Sequence, residues 1–387
     1  MHVAVVIGTR PEAIKLAPVV HELHRQGVET SIISTGQHRD MLDQMLLDFG
    51  IEPDIALSTM RPNQRLSDLT AVLVERLGET LRKLGPDYLL VQGDTTSAMC
   101  GALCGFYEGI PVGHVEAGLR TGSLESPFPE EANRKLAAVL ATTHFCPTEA
   151  NKQNLLAEGV PRHRITVTGN TVIDSLFWAV NRVEWQLPAF PALRPQRILL
   201  TLHRRENHGA VMARICEAIT QIVRERDVDV VFPLHKSPAV RDIVIPLLRG
   251  VEGVILSEPL GYFDLVQTLA SCDLVLTDSG GLQEEAPALG KPVLVLRDTT
   301  ERAEAIESGV ALLVGTEAGN IRNETLRLLD NSDAYRAMAQ VRNPFGDGHA
   351  SERIVSSVLA SDLREPTEVV SAALFAANLD PVALQVV

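Results

Sequence analysis

Short runs of β-branched and aliphatic residues recur along the chain, separated by longer stretches whose apolar positions return every three or four residues. In the first half, strands are expected at residues 3–7, 30–35, 88–91, 111–115, 144–146 and 165–168. Helices are expected at 12–25, 66–84, 96–108 and 130–140, the longest carrying Leu69, Leu73, Leu77 and Leu81 on one stripe. The second half repeats the scheme, with strands at 198–202, 228–232, 254–256, 274–277, 293–296 and 311–314 and helices such as 211–226 and 335–340. Near-continuous apolar strands alternating with helices predict parallel sheets covered on both faces. Only residues 185–195, with Pro188, Pro191 and Pro195, break the alternation and read as a linker; the preceding helix, 172–183, is a further hinge candidate. The expectation is α/β, with two doubly wound Rossmann-like domains. Residues 1–170 form the first, with 350–387 packing back on it as C-terminal helices, and residues 171–349 form the second.

Composition narrows the class. A chain of 387 residues with 45% hydrophobic and 22% charged residues builds two packed cores. Its formal net charge of −14 disfavours nucleic acid as a partner, while local Arg and Lys can still hold a small anion. The five cysteines form no CxxC pair and lie mostly in apolar runs, which suggests buried thiols in a reducing compartment and no zinc site. A strand beginning at residue 3 leaves no room for a signal peptide, and no uncharged apolar run approaches the roughly 20 residues of a membrane helix. A cytoplasmic enzyme with no membrane partner is expected.

In open parallel sheets, ligands bind beyond the carboxyl ends of the strands. The polar signals gather there: Gly8-Thr9-Arg10, Gly93-Asp94-Thr95-Thr96 and Glu116 in the first half, His203-Arg204-Arg205-Glu206-Asn207, His235 and Asp278-Ser279-Gly280-Gly281 in the second. Two sheets facing each other across a cleft would bring these together, the layout of the GT-B fold, with the active site between the domains. Asp278-Ser279-Gly280-Gly281 runs from strand into helix, so free N–H groups can meet a diphosphate, and Glu285 can take a ribose diol. The competing reading is an ordinary helix start with acids in its first turns. No GxGxxG and no GxxxxGK[ST] occurs, which disfavours a nicotinamide cofactor and a kinase. Asp94, Glu116 and Glu130 are acids at positions costly to bury without a partner or a task. The alternative makes Asp94 and Glu130 helix caps and Glu116 half of an ion pair with Arg120; for Lys15 it is a solvated helix face. His203 and His235, each beside a strand, are often merely hydrogen-bonded, and no histidine pair has convincing metal geometry.

These blocks resemble the bacterial non-hydrolysing UDP-N-acetylglucosamine 2-epimerases. The likeness runs through Gly8-Thr9-Arg10-Pro11-Glu12, Gly93-Asp94-Thr95-Thr96, Val115-Glu116-Ala117-Gly118-Leu119-Arg120-Thr121 and Pro129-Glu130-Glu131-Ala132-Asn133-Arg134. It continues in Thr168-Gly169-Asn170-Thr171, His203-Arg204-Arg205-Glu206-Asn207, Asp278-Ser279-Gly280-Gly281-Leu282-Gln283-Glu284-Glu285 and Arg297-Asp298-Thr299-Thr300-Glu301-Arg302. The resemblance implies that Asp94, Glu116 and Glu130 are acid/base and electrostatic carboxylates. It places His203 beside the leaving diphosphate with Arg10, Lys15 and Arg302 as charge partners, Ser279, Gly280 and Gly281 on the phosphates, and Glu285 on the ribose. It implies a UDP-sugar substrate, no metal or redox cofactor, and a homodimer. Leu265, Ala303 and Ser237 depart from the family pattern. Asn63 and Asp40 depart from it where some relatives bind a second, activating substrate, although Gln37 and His235 remain for such a site.

Chemically, the C2 proton of a glycoside is not next to a carbonyl, so its direct removal is difficult. Elimination of UDP to 2-acetamidoglucal, followed by re-addition, meets the problem. It calls for acid/base groups around C2 and cations for the departing diphosphate. The rivals are a hydrolysing epimerase, a GT-B glycosyltransferase and a non-catalytic nucleotide-sugar sensor.

Overall fold

Every strand pairing in the computed structural model, which describes residues 1–36, 39–61, 64–182 and 190–361, is parallel, and the strands form two sheets. The described chain divides into two units, Met1–Ser175 with residues 348–361, and Leu176–Asp347; residues 362–387, expected to pack back on the first, lie outside the described residues.

The first unit alternates β1 (His2–Ile7), α1 (Arg10–Arg25), β2 (Glu29–Ser34), α2 (Arg39–Asp48), β3 (Ile55–Ala56), α3 (Leu66–Leu84) and β4 (Tyr88–Gln92). It goes on with α4 (Thr96–Tyr107), β5 (Val112–Val115), α5 (Glu130–Leu140), β6 (Thr143–Cys146), α6 (Glu149–Ala157) and β7 (Ile165–Val167), and α7 (Thr171–Arg182) carries the chain from this unit into the next. The sheet order is β3-β2-β1-β4-β5-β6-β7, so the winding reverses between β1 and β4. The leucine stripe of α3 is buried at all four positions and packs with the apolar faces of β1, β4 and α4. Gly85 closes that helix in the left-handed region at φ 57°, which a residue without Cβ adopts at little cost. Three elements of this unit are not among those named from the sequence: β3 is two residues long, α2 buries Leu42, Met45 and Leu46 on a helical stripe, and α6 follows β6.

The second unit runs β8 (Gln196–Thr201), α8 (Ala210–Glu225), β9 (Val228–Pro233), α9 (Pro238–Leu248), β10 (Val254–Ser257), α10 (Tyr262–Ser271) and β11 (Leu274–Thr277). Then come α11 (Gly280–Ala288), β12 (Val293–Val295), α12 (Ala303–Ser308), β13 (Ala311–Leu313), α13 (Ala318–Asp330) and α14 (Ser332–Ala339). Its order is β10-β9-β8-β11-β12-β13, with the reversal between β8 and β11. Residues of β8, β9 and β11 pack with α8 and α9 in one apolar cluster. The last described helix, α15 (Ala350–Ser361), belongs to the first unit and packs on α1. Asp174 of α7 caps it, accepting the N–H of Ala350 at 3.2 Å and of Ser351 at 2.7 Å.

Residues 183–189, among them the first part of the linker expected at 185–195, lie outside the described residues, and residues 190–195 form neither helix nor strand. All five cysteines are buried and unpaired. Among the described residues no helix is long and apolar enough to cross a membrane.

Candidate active site

The reversal between β1 and β4 places two turns side by side at the carboxyl edge of the first sheet, the position where doubly wound sheets bind ligands. Gly8 ends β1 against α4, and a Cβ there would fall 2.4 Å from the Ser97 hydroxyl, so only glycine fits. Glu12, in the first turn of α1, accepts the N–H of Gly8 at 2.7 Å and of Thr9 at 2.6 Å. Its other oxygen accepts the Thr95 hydroxyl at 2.5 Å, so one carboxylate ties the turn after β1 to the turn after β4. Burial pushes the Glu12 carboxyl up to about 7, against the pull of these donors.

Asp94 lies in that second turn and is not the cap of α4; Thr95 is, accepting the Ala98 N–H at 3.0 Å. The Asp94 carboxylate accepts Arg134 Nη2 at 2.5 Å, and its main-chain carbonyl accepts Asn133 Nδ2 at 2.9 Å. Arg134 in turn donates to the fully buried Glu131 at 3.0 Å, so the start of α5 grips Asp94 from two residues.

Glu116 follows β5 with φ 62°, one of two described non-glycine residues at positive φ. Such a backbone costs on the order of 1–3 kcal/mol and persists where surrounding contacts dictate it. Those contacts are present: Lys15 Nζ donates to both carboxylate oxygens at 2.5 and 2.6 Å, Gln92 Nε2 donates to one, and Asn170 Nδ2 reaches the other at 3.5 Å. The expected alternative partner, Arg120, instead forms a two-bond pair with Glu158 at 2.7 and 2.8 Å. Nor is Lys15 a solvated surface lysine. Glu130 is the first residue of α5 rather than its cap, and its Oε2 is buried with no hydrogen-bond partner among the described residues. Arg10 opens α1.

In the second unit the reversal between β8 and β11 repeats the arrangement. Asp278, at the end of β11, is fully buried. It accepts the N–H of His203 at 3.0 Å and of Arg204 at 2.9 Å, Asn207 Nδ2 at 3.0 Å, and His203 Nδ1 at 3.1 Å. Burial alone would raise its carboxyl, yet the His203 contact and these N–H groups hold it below the usual carboxylate range. Ser279 precedes the first turn of α11, where Gly280 and Gly281 leave the backbone open. A Cβ on Gly280 would lie 2.9 Å from Glu301 and 3.7 Å from Arg302, so the helix start is already ringed by charge. Glu301 is held by Arg297 at 2.6 Å and Arg204 at 2.7 Å, which bring its carboxyl to about 2 despite burial. Arg302 donates to Glu284 at 2.5 Å, and Glu285 stands one residue further along α11. His235 lies before α9; its ring accepts the Ser237 N–H and sits 6.4 Å, centre to centre, from that of His203. Gln37 and Asn63 lie outside the described residues. Among the described residues no group of three or more His, Cys, Asp or Glu is placed to hold a metal.

Sequence reasoning passed over Glu12, Gln92, Asn133, Arg134, Asn170 and Asp278 as partners of the site. All but Gln92 stand inside the motif blocks, but each makes a contact that reaches a turn after a different strand.

Two doubly wound sheets carry polar side chains at their carboxyl edges, acids with a lysine at one and an arginine-ringed helix start at the other, which marks an α/β enzyme handling an anionic substrate. Residues 21–359 match the family described as UDP-N-acetylglucosamine 2-epimerase. The UDP-N-acetylglucosamine 2-epimerase of Yersinia pestis is 50% identical over 369 residues, 92% of this chain and 98% of that one. The crystal structure of the Neisseria meningitidis UDP-GlcNAc 2-epimerase, bound to UDP-GlcNAc, is 44% identical and superposes with a TM-score of 0.83, covering 93% of this chain and all of that one. Fold alone is shared with the Streptomyces nogalater glycosyltransferase SnogD, 17% identical over 92% of this chain and 99% of that one, TM-score 0.57. The chain belongs to the UDP-N-acetylglucosamine 2-epimerase family.

Proposed function

We propose that the chain interconverts UDP-N-acetylglucosamine and UDP-N-acetylmannosamine by anti elimination and re-addition of UDP, as a cytoplasmic homodimer. In the forward step the C1–O bond to UDP breaks as a carboxylate takes the C2 proton, and the electron pair left at C2 forms the C1=C2 bond of 2-acetamidoglucal. In the return step a proton is delivered to C2 on the opposite face, and a UDP oxygen re-forms the bond at C1. The sequence is redox-neutral, so the scheme calls for no redox cofactor.

Asp94 and Glu116 carry the C2 proton chemistry in this reading, with Glu130 as the neighbouring acid. Acid/base groups of this kind contribute about 10²–10⁴ each in rate. The N–H groups of Ser279, Gly280 and Gly281 take the diphosphate, helped by His203, Arg10 and Arg302, and Glu285 takes the ribose. The observation that carries the reading is Glu116, held in a left-handed backbone at φ 62° with Lys15 on both oxygens.

Incubation with UDP-N-acetylglucosamine in D₂O, followed by NMR of the sugar, tests it. Deuterium is expected at C2 of both epimers, without added NAD or divalent metal. Epimerisation with the original C2 hydrogen retained would overturn the mechanism. Free N-acetylmannosamine would indicate a hydrolysing enzyme, and a need for an acceptor would indicate a transferase.

A further inference from the structure

Asp278 makes two kinds of contact. Three of its donors, the main-chain N–H groups of His203 and Arg204 and the Asn207 amide, fasten the turn after β8 to the end of β11. The fourth is the His203 ring, through Nδ1 at 3.1 Å. An ionised carboxylate offers only lone pairs, so the ring must place a hydrogen on Nδ1. That leaves Nε2 as the exchanging nitrogen, on a side chain 41% exposed while Asp278 is wholly buried.

We propose that Asp278 is a positioning residue for the epimerisation: it fixes the tautomer and rotation of His203, so that Nε2 passes a proton to and from the diphosphate oxygen as the C1–O bond breaks and re-forms. This rests on the function proposed above. As the bond breaks, protonated His203 gives its Nε2 hydrogen to the departing oxygen; on return the neutral ring takes it back. Asp278 stays ionised throughout and touches no substrate.

The test begins with the wild-type chain labelled with ¹⁵N-histidine, the His203 ring being assigned by its loss in H203N. The neutral ring should show its hydrogen on Nδ1; a hydrogen on Nε2 overturns the assignment without any variant of Asp278. D278N should move that hydrogen to Nε2 and lower kcat by about 10²–10⁴-fold, with KM within about threefold of wild type. The double variant H203N/D278N should turn over no more slowly than H203N, within about twofold, because one residue acts through the other. A further loss in the double variant, or unchanged kcat in D278N, overturns the proposal. Failure of the wild type to form any epimer would sink the epimerase reading itself, while the ring measurement would still decide where Asp278 holds the hydrogen.

Discussion

Lys15 and Glu116 stand 101 residues apart in the chain, and the lysine reaches both oxygens of a carboxylate whose side chain is only 9% exposed. Truncating one member of a buried pair leaves the other charge uncompensated, typically a loss of about 3–5 kcal/mol when burial is complete and less at this partly open site. Lys15→Met should therefore lower turnover by about 10²–10⁴-fold and depress the melting temperature, read from initial rates and a thermal melt on the same preparation. Wild-type rate in that variant would remove Lys15 from the site. Glu116→Gln should cut turnover on the same scale while UDP affinity, measured by calorimetry, stays within about threefold. The identities of these residues are legible in the sequence; their pairing is not. Arg120, four residues from Glu116, is the nearer cation along the chain, and it goes to Glu158 instead. Sequence distance says little where a sheet brings loops from distant strands to one edge.

Among the elements, α3 shows what periodicity conveys well: its four leucines sit on the buried stripe that spacing alone assigns. Leu73→Ala should cost about 2–5 kcal/mol, measured by urea unfolding, because Leu73 is fully enclosed. Strands β5 and β6 carry a less visible feature. His114 and His144 are register partners, both buried. Burial, with the His114 and neighbouring arginine charges, pulls His144 from 6.5 down to about 3. Its pKa being lower in the folded chain, the unfolded state binds the extra proton between those values, and stability is lost as pH falls through that window. Glu12, raised to about 7, titrates in the opposite sense between about pH 6.5 and 5, so the His144 contribution is read by difference: His144→Gln should make the slope of urea midpoint against pH less positive than in the wild type. An unchanged slope would mean that His144 is already protonated in the folded chain. Neither histidine is marked as core by its type, and β3, two residues long, offers no period to read.

At the scale of the whole molecule, strand-helix alternation was sufficient to anticipate two doubly wound sheets, because each crossover helix must cover a face of a parallel sheet. What alternation cannot convey is how the chain re-enters its first unit through α15, whose start is capped by the buried carboxylate of Asp174 and whose Arg353 donates to the Thr168 carbonyl. Asp174→Ala leaves the N–H groups of Ala350 and Ser351 without this acceptor, and should cost about 1–3 kcal/mol in unfolding measurements. Light scattering should give a mass of about twice the 42.1 kDa of one chain; a single-chain mass would refute the proposed dimer.

The carboxylates of Glu12 and Asp278 each bridge two turns that arise from strands far apart in order, Glu12 across β1 and β4, Asp278 across β8 and β11. Chimeric enzymes will inherit this linkage. Grafting one such turn from a homologue without its counterpart separates a carboxylate from the donors it matches, so loops recombined to alter sugar preference must travel in pairs.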